Sequence, residues 1–175
     1  NRAFSHNTDV INFLGNFCIN SFHRNKIGTV MKHIPGHGLA KVDSHNFTPT
    51  VNAKINYLEK NDFSTFKNKK SFFAMTAHII FKNIDKINTT THSKKVIQLI
   101  RDTIKFNNLL MSDDISMKSL KNSVRVNTQK AFRAGCNLVL HCNGNHNEMI
   151  DVANNSPFVD KFIIKKTSQF YKILS

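Results

Sequence analysis

Four short apolar runs alternate along the chain with segments of helical periodicity, and this alternation restricts the fold. The strand-like runs are IGTVM at 27–31, FFAMTAHII at 72–80, NLLM at 108–111 and NLVLHC at 137–142. The helix-like segments are VINFLGNFCINSF at 10–22, SKKVIQLIRDTIKF at 93–106 and MKSLKNSVRVNTQKAFRAG at 117–135. In the second, Val96, Ile97, Ile100 and Ile104 recur at helical spacing behind Ser93, a residue type that caps helix N-termini. In the third, Gly135 stands where a C-cap glycine belongs. Apolar strands alternating with helices are buried on both faces, which predicts a parallel α/β sheet.

The reactive side chains gather at the ends of these runs. Lys32, His33 and the PGHG turn follow the first, Ser112, Asp113 and Asp114 follow the third, and His141 to Asn143 close the fourth. In a parallel α/β sheet or barrel the carboxyl edge is where the connecting loops converge and ligands bind. The stretch KHIPGHGLAKVDSH at 32–45 is the densest of these. His33, His37, Asp43 and His45 are metal-ligand types, and His33 and His37 have the spacing of a zinc-binding helix. Pro35, Gly36 and Gly38 forbid a regular helix there, so the spacing loses its force and no metal is expected. An Asp two residues before a His is different. Across an extended loop Asp43 reaches the His45 ring, fixes its tautomer and raises the basicity of the other nitrogen.

A net charge of +14 and a pI of 9.9 raise nucleic acid as a partner. The basic residues, 20 Lys and 5 Arg, are scattered, and the longest Lys-rich stretch is KNKK at 67–70. They read as solvated helix faces, so no nucleic-acid partner is expected. No apolar run approaches the roughly 18 residues of a membrane span, so no membrane partner is expected either. Cys18, Cys136 and Cys142 are odd in number and lack CxxC spacing, which fits a reducing, cytoplasmic location.

Five collinear blocks carry a family resemblance. KHIPGHG followed by DSH resembles the KHFPGHG and DSH signature of bacterial β-N-acetylhexosaminidases of glycoside hydrolase family 3, the enzymes of peptidoglycan recycling. NRAF at 1–4, MTAHIIFKNID at 75–85, MSDDISMK at 111–118 and AGCNLVLHCN at 134–143 are similar to the family's N-R-S-F loop, M-x-A-H strand, S-D-D-L-S-M segment and A-G-C-D-x-V-L-x-C-N strand. The resemblance implies a retaining glycosidase with Asp113 as nucleophile and His45 as general acid and base, oriented by Asp43. It also implies that Arg2, Lys32 and His33 hold sugar hydroxyls, with Asp114 a neighbour only and no cofactor. His37 and His78 read as structural, and His141 matches no role. The substrate would be terminal β-linked N-acetylglucosamine on muropeptide or chitobiose-like fragments.

The family barrel has eight strands, and these blocks resemble only the fifth through the eighth. A closed (β/α)₈ barrel takes about 250 residues, so residues 1–175 are expected to form a partial TIM barrel, the C-terminal half of the family's N-terminal-type domain. FVDKFIIKKTSQFYKIL at 158–174 reads as an amphipathic helix covering the outer barrel wall. Lys105 and Asn108 replace glycines near FNNLL, and NTTTHS replaces a Pro before SKKV. Alone, such a chain would leave parallel edges open at IGTVM and NLVLHC, calling for the missing N-terminal half-barrel or self-association. Three alternatives stand beside hydrolysis: a β-N-acetylglucosaminide phosphorylase, an inactive half-barrel remnant, and a non-catalytic basic binding module.

Overall fold

The computed structural model describes residues 3–175. The Arg2 assignment lies outside the described residues. The elements run in the order α1 (Thr8–Arg24), β1 (Val30–Ile34), β2 (Thr50–Val51), α2 (Ile55–Lys60), β3 (Phe73–Thr76), β4 (Ile80–Phe81), α3 (Lys94–Asp102), β5 (Leu109–Asp114), α4 (Val124–Ala134), β6 (Leu138–Leu140), α5 (His146–Asn154) and α6 (Lys161–Leu174). Turns of 3₁₀ helix at Phe63–Phe66 and Thr90–His92 precede β3 and α3. The main sheet has the order β1-β3-β5-β6 and every pairing in it is parallel, as the alternation predicts. β2 and β4 pair separately, also in parallel.

Register sorts the sheet into two faces. Met31, Ala74 and Leu110 are partners, and they join Val96, Ile97, Ile100, Ala131 and Ala134 of the helices in one buried cluster. Val96, Ile97 and Ile100 are the periodic stripe of α3, and burying each is worth about 1.5–3 kcal/mol relative to water. Lys32, Met75 and Met111 are partners on the opposite face. Asp113, past Met111 on β5, lines the same cavity as Lys32.

The helix ends follow their capping chemistry. Ser93 accepts from the Val96 N–H, Ser123 from the Val126 N–H, and Gly135 closes α4 at φ +115°. α4 begins later than the expected segment at 117–135. The Asn127 side chain instead donates to the Ile115 and Asn122 carbonyls and holds the preceding residues as turns. Arg101 ties the other end of β5: its guanidinium donates to the Phe106 and Asn108 carbonyls and to Asn137 Oδ1, which also accepts from the Leu110 N–H.

Three expectations are displaced. The first strand is 30–34 rather than 27–31, so Lys32 and His33 lie within it instead of after it. FFAMTAHII is two strands, broken where the Ala77 N–H donates to the Ile34 carbonyl and His78 turns into the interior. The C-terminal helix forms, but it packs at the amino ends of the strands and not along the outer wall. Phe170 stands edge-on to Phe73 at 4.9 Å and sits against Gly28, where a Cβ would lie 2.3 Å from the ring. Lys166 donates to Asn108 Oδ1, just before β5. α5 was not foreseen; Asn145 caps it by accepting from the Glu148 N–H.

Candidate active site

The carboxyl ends of β1 and β5 open into a cavity of about 1060 Å³ lined by Lys32, His33, His37, Asp43, His45 and Asp113, among others. Its first wall is made by an irregularity in β1. Lys32 pairs with Met75 and Ile34 with Thr76, so two steps of β1 oppose one of β3. A bulge of this kind re-aims side chains, and here both Lys32 and His33 reach the cavity. The Lys32–His33 and Ile34–Pro35 peptide bonds in this stretch are cis. The following turn needs a glycine: Gly36 has φ +152°, and a Cβ there would stand 2.7 Å from Cβ of Asp62.

The adjacent aspartates of β5 have unlike surroundings. Asp113 Oδ1 accepts from the Asp114 N–H at 2.8 Å, while Oδ2 stands 3.4 Å from His33 Nε2. Asp113 retains 17% of its side-chain exposure and His33 retains 26%. Burial lowers the His33 pKa to about 4 against the opposing pull of Asp113, so the imidazole is neutral at pH 7 and meets the carboxylate as a neutral group. Asp114 is fully engaged. Its Oδ1 accepts from the Ser116 and Cys142 N–H groups, and the Ser116 hydroxyl reaches both its oxygens at 2.8 Å.

The second wall is the loop after β1. Asp43 Oδ1 accepts from the His45 backbone N–H at 3.0 Å and pairs with His45 Nδ1 at 2.7 Å. These bonds hold the Asp43 pKa below its ordinary value. An ionised carboxylate only accepts, so Nδ1 carries a proton toward Asp43 and proton exchange with a substrate is left to Nε2. Both side chains are exposed, His45 by 69% and Asp43 by 63%. The pairing expected from their two-residue spacing is thus formed. His37 Nε2 lies 3.4 Å from Ser44 Oγ, and its ring is 5.6 Å from that of His33.

His78 and His141 are both engaged away from the cavity lining. His78 is fully buried and bonds Thr91 and the Asp114 carbonyl, a link its position at the end of the M-x-A-H run did not reveal. His141 Nε2 meets Glu148 Oε2 at 2.8 Å, and Asn143 donates to the same oxygen, fastening the loop after β6 to α5. Phe4 and Tyr57, half-exposed apolar residues not singled out in the sequence, also line the cavity. Only their coming together in space marks them. Among the described residues no group of three or more His, Cys, Asp or Glu side chains is arranged to hold a metal ion.

Residues 1–168 match the model of the Glycosyl hydrolase family 3 N terminal domain. A beta-hexosaminidase of Nitrosomonas eutropha is 30% identical over 147 residues, covering 81% of this chain and 42% of that protein. One of Actinobacillus pleuropneumoniae serotype 3 is 31% identical over 149 residues, with 81% and 43% covered. The crystal structure of CbsA from Thermotoga neapolitana superposes with a TM-score of 0.77 at 26% identity, covering 95% of this chain and 40% of that one. NagZ from Neisseria gonorrhoeae in complex with N-trifluoroacetyl-D-glucosamine superposes with a TM-score of 0.83 at 22% identity, covering 99% and 50%. The chain therefore spans less than half the length of these curated relatives.

Proposed function

Given that this chain belongs to glycosyl hydrolase family 3, we propose that it carries the reacting residues of a retaining β-N-acetylhexosaminidase. Its substrate class is terminal β-linked N-acetylglucosamine on muropeptide fragments, in cytoplasmic peptidoglycan recycling. In this reading Asp113 attacks the anomeric carbon as the glycosidic C–O bond breaks, and His45 gives the departing oxygen its proton. Water then attacks the glycosyl ester and surrenders a proton to His45, so the configuration is retained and the enzyme is restored. Imidazole suits both proton transfers near neutrality, and Asp43 orients the ring and stabilises the imidazolium that the first step spends and the second restores. Lys32 and neutral His33 place sugar hydroxyls over Asp113.

The observation that carries this reading is the unlike state of the two β5 carboxylates: Asp114 is consumed by Ser116 and the Cys142 N–H, while Asp113 turns an oxygen toward the cavity. Names of relatives support the substrate class, since the curated proteins are called beta-hexosaminidases. Coverage of less than half their length fits a partial barrel, and in this reading the four-stranded parallel sheet supplies strands five to eight. The three free cysteines support a reducing compartment.

The test is hydrolysis of a chromogenic β-N-acetylglucosaminide by the chain alone and by the chain supplied with a complementary N-terminal half, with the anomer of the first product read by NMR. Release of the β-anomer, independent of phosphate, is expected in the completed form. An α-anomer would refute retention, and a sugar phosphate would identify a phosphorylase.

A further inference from the structure

A chain of buried hydrogen bonds ends on the residue whose N–H orients Asp113. Thr76, His78 and Thr91 are fully buried. Thr76 Oγ1 lies 2.8 Å from Thr91 Oγ1, Thr91 Oγ1 lies 2.7 Å from His78 Nδ1, and His78 Nε2 lies 2.9 Å from the Asp114 carbonyl oxygen. A carbonyl can only accept, so His78 must donate from Nε2. Burial lowers the His78 pKa and favours the neutral ring, whose Nδ1 then has a lone pair and no proton, so Thr91 must donate to it, and Thr76 must donate to Thr91. Every proton in the chain is therefore assigned by its last acceptor.

Residue 114 is held at each of its polar groups: the carbonyl by His78 at 2.9 Å and by the Met117 N–H at 3.2 Å, the carboxylate by Ser116 and the Cys142 N–H. Its remaining group, the N–H, donates to Asp113 Oδ1. We infer that His78, locked as the Nε2–H tautomer by Thr91 and Thr76, is a positioning residue for Asp113: through the carbonyl of the 114–115 peptide it holds in place the residue whose N–H, in the adjoining 113–114 peptide, sets the rotation of the Asp113 carboxylate. This role rests on the reading of Asp113 as the nucleophile. Rotation matters because attack needs one oxygen aligned on the anomeric carbon while the other stays bonded, and an unaligned carboxylate loses rate at unchanged affinity.

Two measurements test it. The first is independent of activity. Ring ¹⁵N shifts of His78 in the chain as it stands should show a protonated Nε2 and a bare Nδ1, unchanged between pH 5 and 8. A protonated Nδ1, or titration within that range, would overturn the inference. The second is kinetic, in whichever form of the protein hydrolyses the chromogenic substrate. His78→Leu removes the donor and should lower kcat by about 10- to 100-fold, a range typical of lost supporting bonds, with KM nearly unchanged. His78→Gln returns an N–H at similar reach and should recover most of that loss. Thr91→Val should lie between them. A merely structural His would make the Leu and Gln variants equally slow per folded molecule, and that result would also overturn the role. If no form hydrolyses the substrate, the functional reading fails and the positioning role falls with it; if the protein is active and Gln gives no rescue, only the inference fails.

Discussion

Asp113 Oδ1 accepts the backbone N–H of Asp114 at 2.8 Å, so the carboxylate that faces the cavity is steered by the residue whose own carboxylate is spent on Ser116 and Cys142. Two identical side chains in succession thus have separable tasks. Asp113→Asn should lower turnover by about 10³-fold or more, because an amide does not form the glycosyl ester, and it should leave the melting temperature nearly unchanged. Asp114→Asn should do the reverse. It loses charge-assisted bonds and should cost about 1–3 kcal/mol of stability with a smaller loss of rate. Equal kinetic losses in the two variants, measured per folded molecule, would refute the division.

His45 and Asp43 form their pair on an exposed loop, so removing the ring should not disturb folding. His45→Ala should slow substrates with poor leaving groups far more than those whose leaving group needs no proton, and azide should partly restore turnover. A uniform loss across leaving groups would deny His45 the proton-transfer role.

Lys105 has φ +63° at an exposed turn between α3 and β5, where the family resemblance expects glycine. The left-handed conformation costs a Cβ-bearing residue about 1–2 kcal/mol, whereas glycine costs about 0.5–1 kcal/mol through the freedom it adds to the unfolded chain. The first term wins. Lys105→Gly should therefore stabilise the protein by about 0.5–1 kcal/mol in urea, and an unchanged or lower midpoint would contradict the argument.

His33 and His92 both have pKa values lowered from 6.5 to about 4, chiefly by burial. Between those values the unfolded chain binds more protons than the folded one, so their contribution is whole above pH 6.5 and is lost as pH falls toward 4. The urea midpoint should drop between pH 7 and pH 5, and His92→Gln should shrink that drop. A drop of equal size in the variant would mean that His92 is not among its sources.

The capping by Ser93 and Gly135 and the Asp43–His45 pair were legible because each rests on contacts within a few residues, and the parallel order because strands alternating with helices allow little else. The limits of β1 were not. Ile27 and Gly28 are as strand-like in sequence as Lys32 and His33, but pairing to β3 begins only at Val30 and Phe170 from the far end of the chain occupies the space above Gly28. The partner of His78 was hidden for a related reason. A buried histidine looks structural until the residue it bonds, 36 positions away, is seen to be Asp114.

Among the described residues the main sheet ends in two edge strands, β1 and β6, each paired on one side only, while β3 and β5 are paired on both sides. Beside β1 the cavity runs on past Val30 and Met31 to Ile11, Cys18 and Phe22 of α1, an apolar groove flanking an edge strand. Backbone groups on such an edge invite another strand, and closing a barrel removes the edge altogether. Hydrogen exchange on the chain alone should protect the β3 and β5 amides most and those of β1 and β6 least, and size-exclusion chromatography should show self-association. Adding the complementary half should yield a 1:1 species in which the β1 and β6 amides become protected and hexosaminidase activity appears. A monomer with all four strands equally protected and full activity would refute the half-barrel reading, because the exposed edges would then need no partner.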